Sequence, residues 1–114
     1  MSGLGEFKNA LSSSVGSTWV DVYSAPASKT SYLIQCDVAC VGNTGVQASI
    51  QVLKSGGLSS AYLVKNVPIP VGSTLQVLDG QKVVLSPGDT LRVKCETESE
   101  SVDVIVSLVE DVNL

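Results

Sequence analysis

Apolar and polar side chains alternate along most of the chain. The clearest run, at residues 31–41, separates apolar residues with polar ones such as Gln35 and Asp37, and residues 46–54 and 101–109 repeat the pattern. Because successive side chains of a strand point to opposite faces, each run predicts a strand with one buried and one solvated face. The residues predicted to face the core are Tyr32, Ile34, Cys36, Val38 and Cys40, then Val46, Ala48, Ile50 and Val52, and then Val102, Val104, Val106 and Leu108.

Eight segments of this kind follow one another at spacings of about 8–12 residues, which is typical of a sandwich or barrel. They cover residues 18–24, 31–41, 46–54, 61–67, 73–78, 81–85, 90–95 and 101–109. No helix of ordinary length fits after residue 16. We therefore expect an all-β fold: a single antiparallel β-sandwich of about eight strands, jelly-roll-like, in one domain at residues 17–114.

Two turn signals lie close together in the second half of the chain. Asp79-Gly80 is a strong short-range signal for a tight hairpin. Ser86-Pro87-Gly88-Asp89 has the proline and glycine positions of a type II turn, in which the glycine adopts positive φ. These signals predict a three-stranded meander that runs through residues 73–78, 81–85 and 90–95.

Residues 1–16 differ in character from the rest of the chain. Leu4, Phe7, Leu11 and Val15 follow a helix-like spacing, which nearby glycines and serines weaken. We expect an extended or weakly helical N-terminal arm. Two interpretations are open, a partly ordered tail and an arm that docks on a neighbouring subunit through these apolar side chains.

Composition and charge exclude several classes of partner. The formal net charge is −4 and no extended basic run is present, which argues against nucleic acid and against an anionic membrane surface. The sequence contains no secretory signal and no run of about 18 apolar residues. We therefore expect synthesis in a cytoplasm, with neither nucleic acid nor membrane as a partner.

The chain contains no histidine, the commonest general base and zinc ligand. Cys36, Cys40 and Cys95 are therefore poor catalytic candidates, because cysteine nucleophiles usually depend on a histidine. The first two are four residues apart on one predicted strand, about 13 Å, which is too far for a shared metal or a disulfide. We expect no enzyme activity, cofactor or metal. The cysteines could be core residues, could bond to another chain, or could form a bridge from Cys95 to one of the others.

Two further groups have competing interpretations. Glu96, Glu98, Glu100 and Asp103 could suggest calcium, but no calcium-loop motif accompanies them, and a solvated strand edge is the simpler interpretation. Trp19 and Tyr23 share a predicted strand face, and could fill the core, form an interface or stack on a sugar.

One family resemblance extends over the whole chain. The opening residues 6–17, EFKNALSSSVGS, precede a short strand, and the second half contains LVKNVPIPVGS at residues 63–73 and KVVLSPGD at residues 82–89. In these features the chain resembles the small β-sandwich virion structural proteins of tailed bacteriophages, known as decoration, neck or collar, and tail-associated components. The three cysteines belong to no pattern of that group.

The resemblance implies a non-enzymatic structural protein, located in the virion, that assembles in repeated copies as a trimer or ring and contacts other virion proteins. Leu4, Phe7, Leu11, Trp19 and Tyr23 are then the expected interface residues, and Cys36, Cys40 and Cys95 the candidates for an intermolecular disulfide. The alternative is a carbohydrate-binding β-sandwich module that uses Trp19, Tyr23, Tyr32 or Tyr62.

Overall fold

A computed structural model describes residues 6–57, 59–78, 83–97 and 101–110, and it confirms the all-β prediction. These residues form nine strands and no helix. The strands are β1 (Glu6–Val15), β2 (Val20–Ser24), β3 (Ser31–Cys40), β4 (Val46–Leu53), β5 (Ser60–Ile69), β6 (Thr74–Gln76), β7 (Val83–Leu85), β8 (Thr90–Cys95) and β9 (Val102–Glu110).

The strands form two antiparallel sheets. One has five strands in the order β1-β9-β3-β6, with β7 also paired to β3, and the other has four strands in the order β2-β8-β4-β5. Sequence neighbours such as β1 and β2 therefore lie in different sheets, and the core is buried between the two layers. The predicted β-sandwich is confirmed.

The core consists of small aliphatic side chains. The largest fully buried ones include Leu33, Ile50, Ile69, Leu85, Leu91 and Leu108. Each such side chain contributes about 1.5–3 kcal/mol relative to an exposed one. The predicted inward residues of β9 are all buried, and so are the first three of β4.

The predicted inward face of β3 is correct in the second half of the strand and wrong in the first half. Ile34 is 36% exposed, whereas Leu33 is fully buried. The pairing of β3 with β9 shifts register between Leu33 and Gln35, so the alternation changes phase at this point. A β-bulge of this kind places one extra residue in a strand and turns the following side chains over.

The predicted meander is wrong. β6 and β7 both pair with β3, the first at Asp37–Ala39 and the second at Ser31–Leu33, while β8 belongs to the other sheet. The chain therefore passes between sheets after β7 instead of forming a hairpin. The predicted turn at Asp79-Gly80 lies outside the described residues.

The turn between β7 and β8 nevertheless has the predicted geometry. Gly88 has a φ of 86°, and the N–H of Asp89 donates to the carbonyl of Ser86 at 3.0 Å. The type II turn signal was therefore correct about local conformation. It did not determine which strands pair.

The helical interpretation of the N-terminal arm is also wrong. Residues 6–15 form β1, which pairs with β9 from Glu6 opposite Glu110 to Val15 opposite Val102. This strand is the ninth one, which the alternation analysis did not predict. Within the described residues, the arm is therefore extended and forms an edge strand of the five-stranded sheet, and Leu4 lies outside them.

Candidate functional site

The outer face of the five-stranded sheet carries exposed apolar side chains in two rows that cross the strands. The pairing registers align Phe7, Val109, Tyr32 and Val84 in the first row, and Leu11 and Ile105 in the second. Phe7 is 84% exposed, Leu11 66%, Val84 50% and Ile105 46%. We call these six residues the apolar face.

An antiparallel sheet with one buried face usually presents polar side chains on the other face. The inward residues of β9 are buried, so its odd-numbered residues point outward, and Ile105 occupies a position where alternation predicts a polar residue. A polar row of Asn9, Ser107 and Gln35 lies between the two apolar rows. Several exposed apolar side chains grouped on one sheet face mark an interaction surface. The apolar face is therefore the first part of the candidate site.

A cavity of about 360 Å³ adjoins the second row of the apolar face and is lined by Leu11, Asp37, Asp103 and Ile105, among others. The Oδ2 atom of Asp37 accepts a hydrogen bond from Gln35 Nε2 at 2.9 Å. Its Oδ1 atom is buried and has no hydrogen-bond partner in the described part of the chain. This surface therefore combines apolar side chains with an acceptor that lacks a donor.

The outer face of the four-stranded sheet has a different chemistry. Trp19 and Tyr62 lie with their ring centroids 6.2 Å apart. Arg92 Cζ lies 4.7 Å and Lys94 Nζ 4.8 Å from the centroid of Trp19, and Lys65 Nζ lies 5.2 Å from that of Tyr62. These distances are within the range of cation–π attraction. We call these five residues the cationic face.

The alternation of β8 explains why these cations lie outside. Leu91, Val93 and Cys95 are buried, so Arg92 and Lys94 between them point away from the core. The guanidinium of Arg92 donates to the side-chain oxygen of Gln51, which holds its plane beside the indole ring.

The cations of this face form no ion pair within the part of the chain that the structure describes. Among the described residues, Lys8, Lys29 and Lys54 form ion pairs with carboxylates, whereas Lys65, Arg92 and Lys94 form none. Asp21 lies opposite Arg92 in the pairing of β2 with β8 without forming an ion pair. An acidic chain therefore carries a local positive patch on one face.

The structure separates Trp19 from Tyr23, which the sequence placed on one face. The pairing of β2 with β8 shifts register between Asp21 and Tyr23, so Trp19 lies on the outer face and Tyr23 turns inward. The predicted shared face is therefore wrong. Only Trp19 of this pair belongs to the candidate site.

Tyr23 instead belongs to a partly buried network around Glu110, which is itself 4% exposed. Glu110 accepts hydrogen bonds from Lys8 Nζ and from the Tyr23 hydroxyl, both at 2.6 Å. The bond from Lys8 and then that from Tyr23 lower the pKa of Glu110. Burial and then the bond to Glu110 raise the pKa of Tyr23 to about 12. The network ties β1 and β2 to β9 and holds Lys8 inward, so that its neighbour Phe7 points outward.

All three cysteines are free and buried, with exposures of 0% for Cys36, 3% for Cys40 and 2% for Cys95. The structure thus contains no bridge between them. Burial and then the charge of Asp37 raise the pKa of Cys36 to about 12, which suppresses the thiolate needed for disulfide exchange. The arrangement favours their interpretation as core residues, and the intermolecular disulfide stays a prediction.

The two described residues of the acidic run, Glu96 and Asp103, each bond to a backbone N–H group. Glu96 accepts a hydrogen bond from the N–H of Gln47, and Asp103 accepts one from the N–H of Ser14. No group of three or more potential metal ligands occurs in the residues that the structure describes. Glu98 and Glu100 lie outside them. The same residues include no helix long and apolar enough to cross a membrane.

The sequence indicated Phe7, Leu11 and Trp19 as interface residues, and Tyr32 and Tyr62 only as part of the carbohydrate-binding alternative. The remaining six residues of the two faces were not predicted. The outward apolar residues Val84 and Ile105 had a signal, because each interrupts the polar half of an alternating strand. The cluster of Tyr62, Lys65, Arg92 and Lys94 had none, because it joins β5 to β8 across β4. Their proximity depends on sheet order.

These features define an all-β sandwich with two chemically different exposed sheet faces. No protein-family model and no curated protein matches the chain. Similar folds do occur among solved structures. A chain from Bacillus endospore appendages, described as a novel family of disulfide-linked pili, is 12% identical with a TM-score of 0.53, covering 97% of this chain and 88% of that one.

Two further similar structures come from viruses. A chain from the acidic stable capsid structure of Helicobacter pylori bacteriophage KHP30 is 9% identical with a TM-score of 0.54, covering 92% of this chain and 86% of that one. A chain of infectious bursal disease virus, Gt strain, is 11% identical with a TM-score of 0.50, covering 96% of this chain and 33% of that one. At these identities the likeness establishes the fold, which also occurs in pilus and viral chains.

Proposed function

We propose that this chain is a non-enzymatic structural protein of a bacteriophage virion. It assembles in repeated copies, as a trimer or ring, on the head, the neck or collar, or the tail, and stabilises or decorates the particle. The observation that carries the proposal is the apolar face. The sequence resemblance to tailed-phage virion proteins and the shared fold with a phage capsid chain and a pilus chain support it.

The apolar face explains why such a chain would associate. Its four most exposed side chains, Phe7, Leu11, Val84 and Ile105, lie on three different strands of one sheet. Each could contribute about 1.5–3 kcal/mol if a partner buried it completely. A stable contact usually buries about 800 Å² on each partner.

The test replaces Phe7 by Ser together with Ile105 by Thr. Since both side chains are exposed, we expect the monomer to change in stability by no more than about 0.5 kcal/mol each. Self-association measured by sedimentation equilibrium, and incorporation into particles, should both fall strongly. The matched control is Val71→Ser, which removes a similarly exposed apolar side chain (52%) from a turn outside this face. Unchanged assembly of the double variant would contradict the proposal.

The alternative function is a carbohydrate-binding module, favoured by the single observation that Trp19 and Tyr62 lie 6.2 Å apart on one surface. Trp19 is the sole tryptophan, so its fluorescence reports on this surface alone. A saturable change on titration with neutral oligosaccharides, lost in Tyr62→Ala, would support this function. We expect none, because Arg92 and Lys94 already lie against the indole ring.

A further inference from the structure

The two candidate faces belong to the two different layers of one sandwich. The apolar face lies outside the five-stranded sheet, and the cationic face lies outside the four-stranded sheet. They therefore point in opposite directions, and one subunit could use both at the same time.

The two faces complement each other in charge. Lys65, Arg92 and Lys94 form no ion pair in the described residues, while Asp37 beside the apolar face has a buried oxygen without a donor. A buried acceptor without a partner is unfavourable, and a donor from another molecule would relieve that cost. The cavity of about 360 Å³ next to Asp37 leaves room for the end of a long side chain.

The two faces also complement each other in apolar chemistry. Tryptophan, tyrosine and arginine are the residue types that most often dominate binding energy at interfaces, and the cationic face contains one of each. Phe7, Leu11 and Ile105 offer the exposed apolar surface against which such side chains pack.

We infer that the cationic face of one subunit binds the apolar face of a second copy of this chain, with Lys94 directed at Asp37. The inference rests on the proposed function and specifies its contact. Because the two surfaces differ, the contact is heterologous. Repeated head-to-tail contacts of this kind produce a ring when the rotation closes and a filament when it does not, but never a two-fold symmetric dimer.

The test is a charge exchange between two variants. In the first, Lys65→Glu and Lys94→Glu make the cationic face negative, and in the second, Asp37→Lys makes the acidic site positive. Alone, each variant should associate at least about tenfold more weakly than wild type at low salt, because like charges then meet at the contact. Mixed in equal amounts, the two should form mixed complexes again, because each face of one variant then meets a face of opposite charge on the other. A ring with an odd number of subunits would keep one like-charge contact and stay open, so the readout is the formation of mixed complexes.

Three controls keep the outcome clear. Circular dichroism and thermal melting establish that each variant is folded, and Asp37→Asn serves as a milder replacement if Asp37→Lys is not. Asn43→Glu with Thr44→Glu adds negative charge at an exposed turn outside both faces and should leave association unchanged. Raising the salt concentration should weaken wild-type association, since exposed charges are screened.

The possible outcomes separate this inference from the proposed function. Restored assembly in the mixture supports the head-to-tail contact. Loss of assembly in Phe7→Ser with Ile105→Thr, combined with no effect of the charge variants, leaves the proposed function intact and overturns this inference. A mixture of the two charge variants that fails to assemble also overturns this inference. A Trp19 fluorescence response to an anionic homopolymer, without any charge-dependent self-association, overturns it as well. A wild-type chain that stays monomeric at about 1 mM overturns both proposals.

Discussion

Two buried carboxylates, Asp89 and Glu110, are 1% and 4% exposed and are held in different ways. Asp89 accepts hydrogen bonds from the backbone N–H groups of Ser55 and Ser86, both at 3.0 Å, and from Lys54 Nζ at 2.5 Å. Glu110 instead accepts its bonds from side chains, those of Lys8 and Tyr23.

The difference shows which part of the fold each carboxylate stabilises. Asp89 fixes the turn after β7 and the loop after β4, since its backbone donors lie in those two segments. Burial by itself would raise the pKa of Asp89, but the bonds from Lys54, Ser55 and Ser86 together lower it. Glu110 fixes the edge strands β1 and β2, whose Lys8 and Tyr23 lie far from it in sequence. We expect Asp89 to contribute more to the stability of the subunit, and Glu110 to contribute more to the outward orientation of Phe7.

The largest expected effect is that of Asp89→Ala. It leaves two backbone N–H groups and the ammonium of Lys54 without their acceptor, and should reduce the free energy of unfolding by about 2–4 kcal/mol. Urea denaturation at pH 7 measures it. Glu110→Ala is the matched comparison, and a larger loss there would reverse the order of importance of the two carboxylates.

The turn next to Asp89 provides a second test, because Gly88 and Gly56 share nearly the same φ, 86° and 87°. A Cβ at Gly88 would lie 2.6 Å from Ser55 Oγ, whereas one at Gly56 would meet nothing within 4 Å. Both alanine variants suffer about 1 kcal/mol or more of backbone strain. Because its new Cβ also meets Ser55, Gly88→Ala should lose roughly 1–2 kcal/mol more of the free energy of unfolding than Gly56→Ala. Equal melting temperatures of the two variants would show that Ser55 moves aside freely.

The acid dependence of stability tests the Glu110 network. Its pKa is lowered on folding, so its contribution is complete above the ordinary value of 4.5 and is lost as the pH falls through the lowered folded value. We expect Glu110→Gln to be less stable than wild type at pH 7 by about 1–2 kcal/mol and to show a flatter decline below pH 4.5. An unchanged acid slope, measured by urea midpoints from pH 7 to pH 3, would exclude this role.

The smallest expected effect is that of Tyr23→Phe, which should reduce the free energy of unfolding at pH 7 by about 1 kcal/mol. Only the hydrogen bonds of the hydroxyl group with Glu110 and Ser31 are lost. Folding raises the pKa of Tyr23 from 10.0 to about 12, so its contribution is complete below pH 10 and disappears as the pH rises toward 12. The stability of Tyr23→Phe should therefore fall less steeply than that of wild type as the pH rises above 10. Cys36 also has a raised pKa. Combining Cys36→Ala with Tyr23→Phe therefore separates the contributions of the two groups to the loss of stability at high pH.

Prediction of the site from the sequence succeeded for single residues and failed for their grouping. Phe7, Leu11 and Trp19 were predicted at interfaces, and the structure exposes the first two on one sheet face and places Trp19 on the other. Tyr23 was predicted beside Trp19, but a register shift in β2 turned it inward. The cationic face was not predicted, because Tyr62 and Trp19 are brought together only by the order of β2, β8, β4 and β5.

By itself the sequence determined eight of the nine described strands, most of the buried positions and the type II turn at Gly88. These features depend on the two-residue period of a strand and on the φ preference of single residues, which nearby residues settle. Only the tertiary structure decided that β6 and β7 share β3, that β1 joins the five-stranded sheet, and where the bulges at Ile34 and Val22 change phase. The physical reason is that backbone hydrogen bonds between strands are nearly alike for every pair of segments. The choice among partners therefore depends on how distant side chains pack together, which no short stretch of sequence contains.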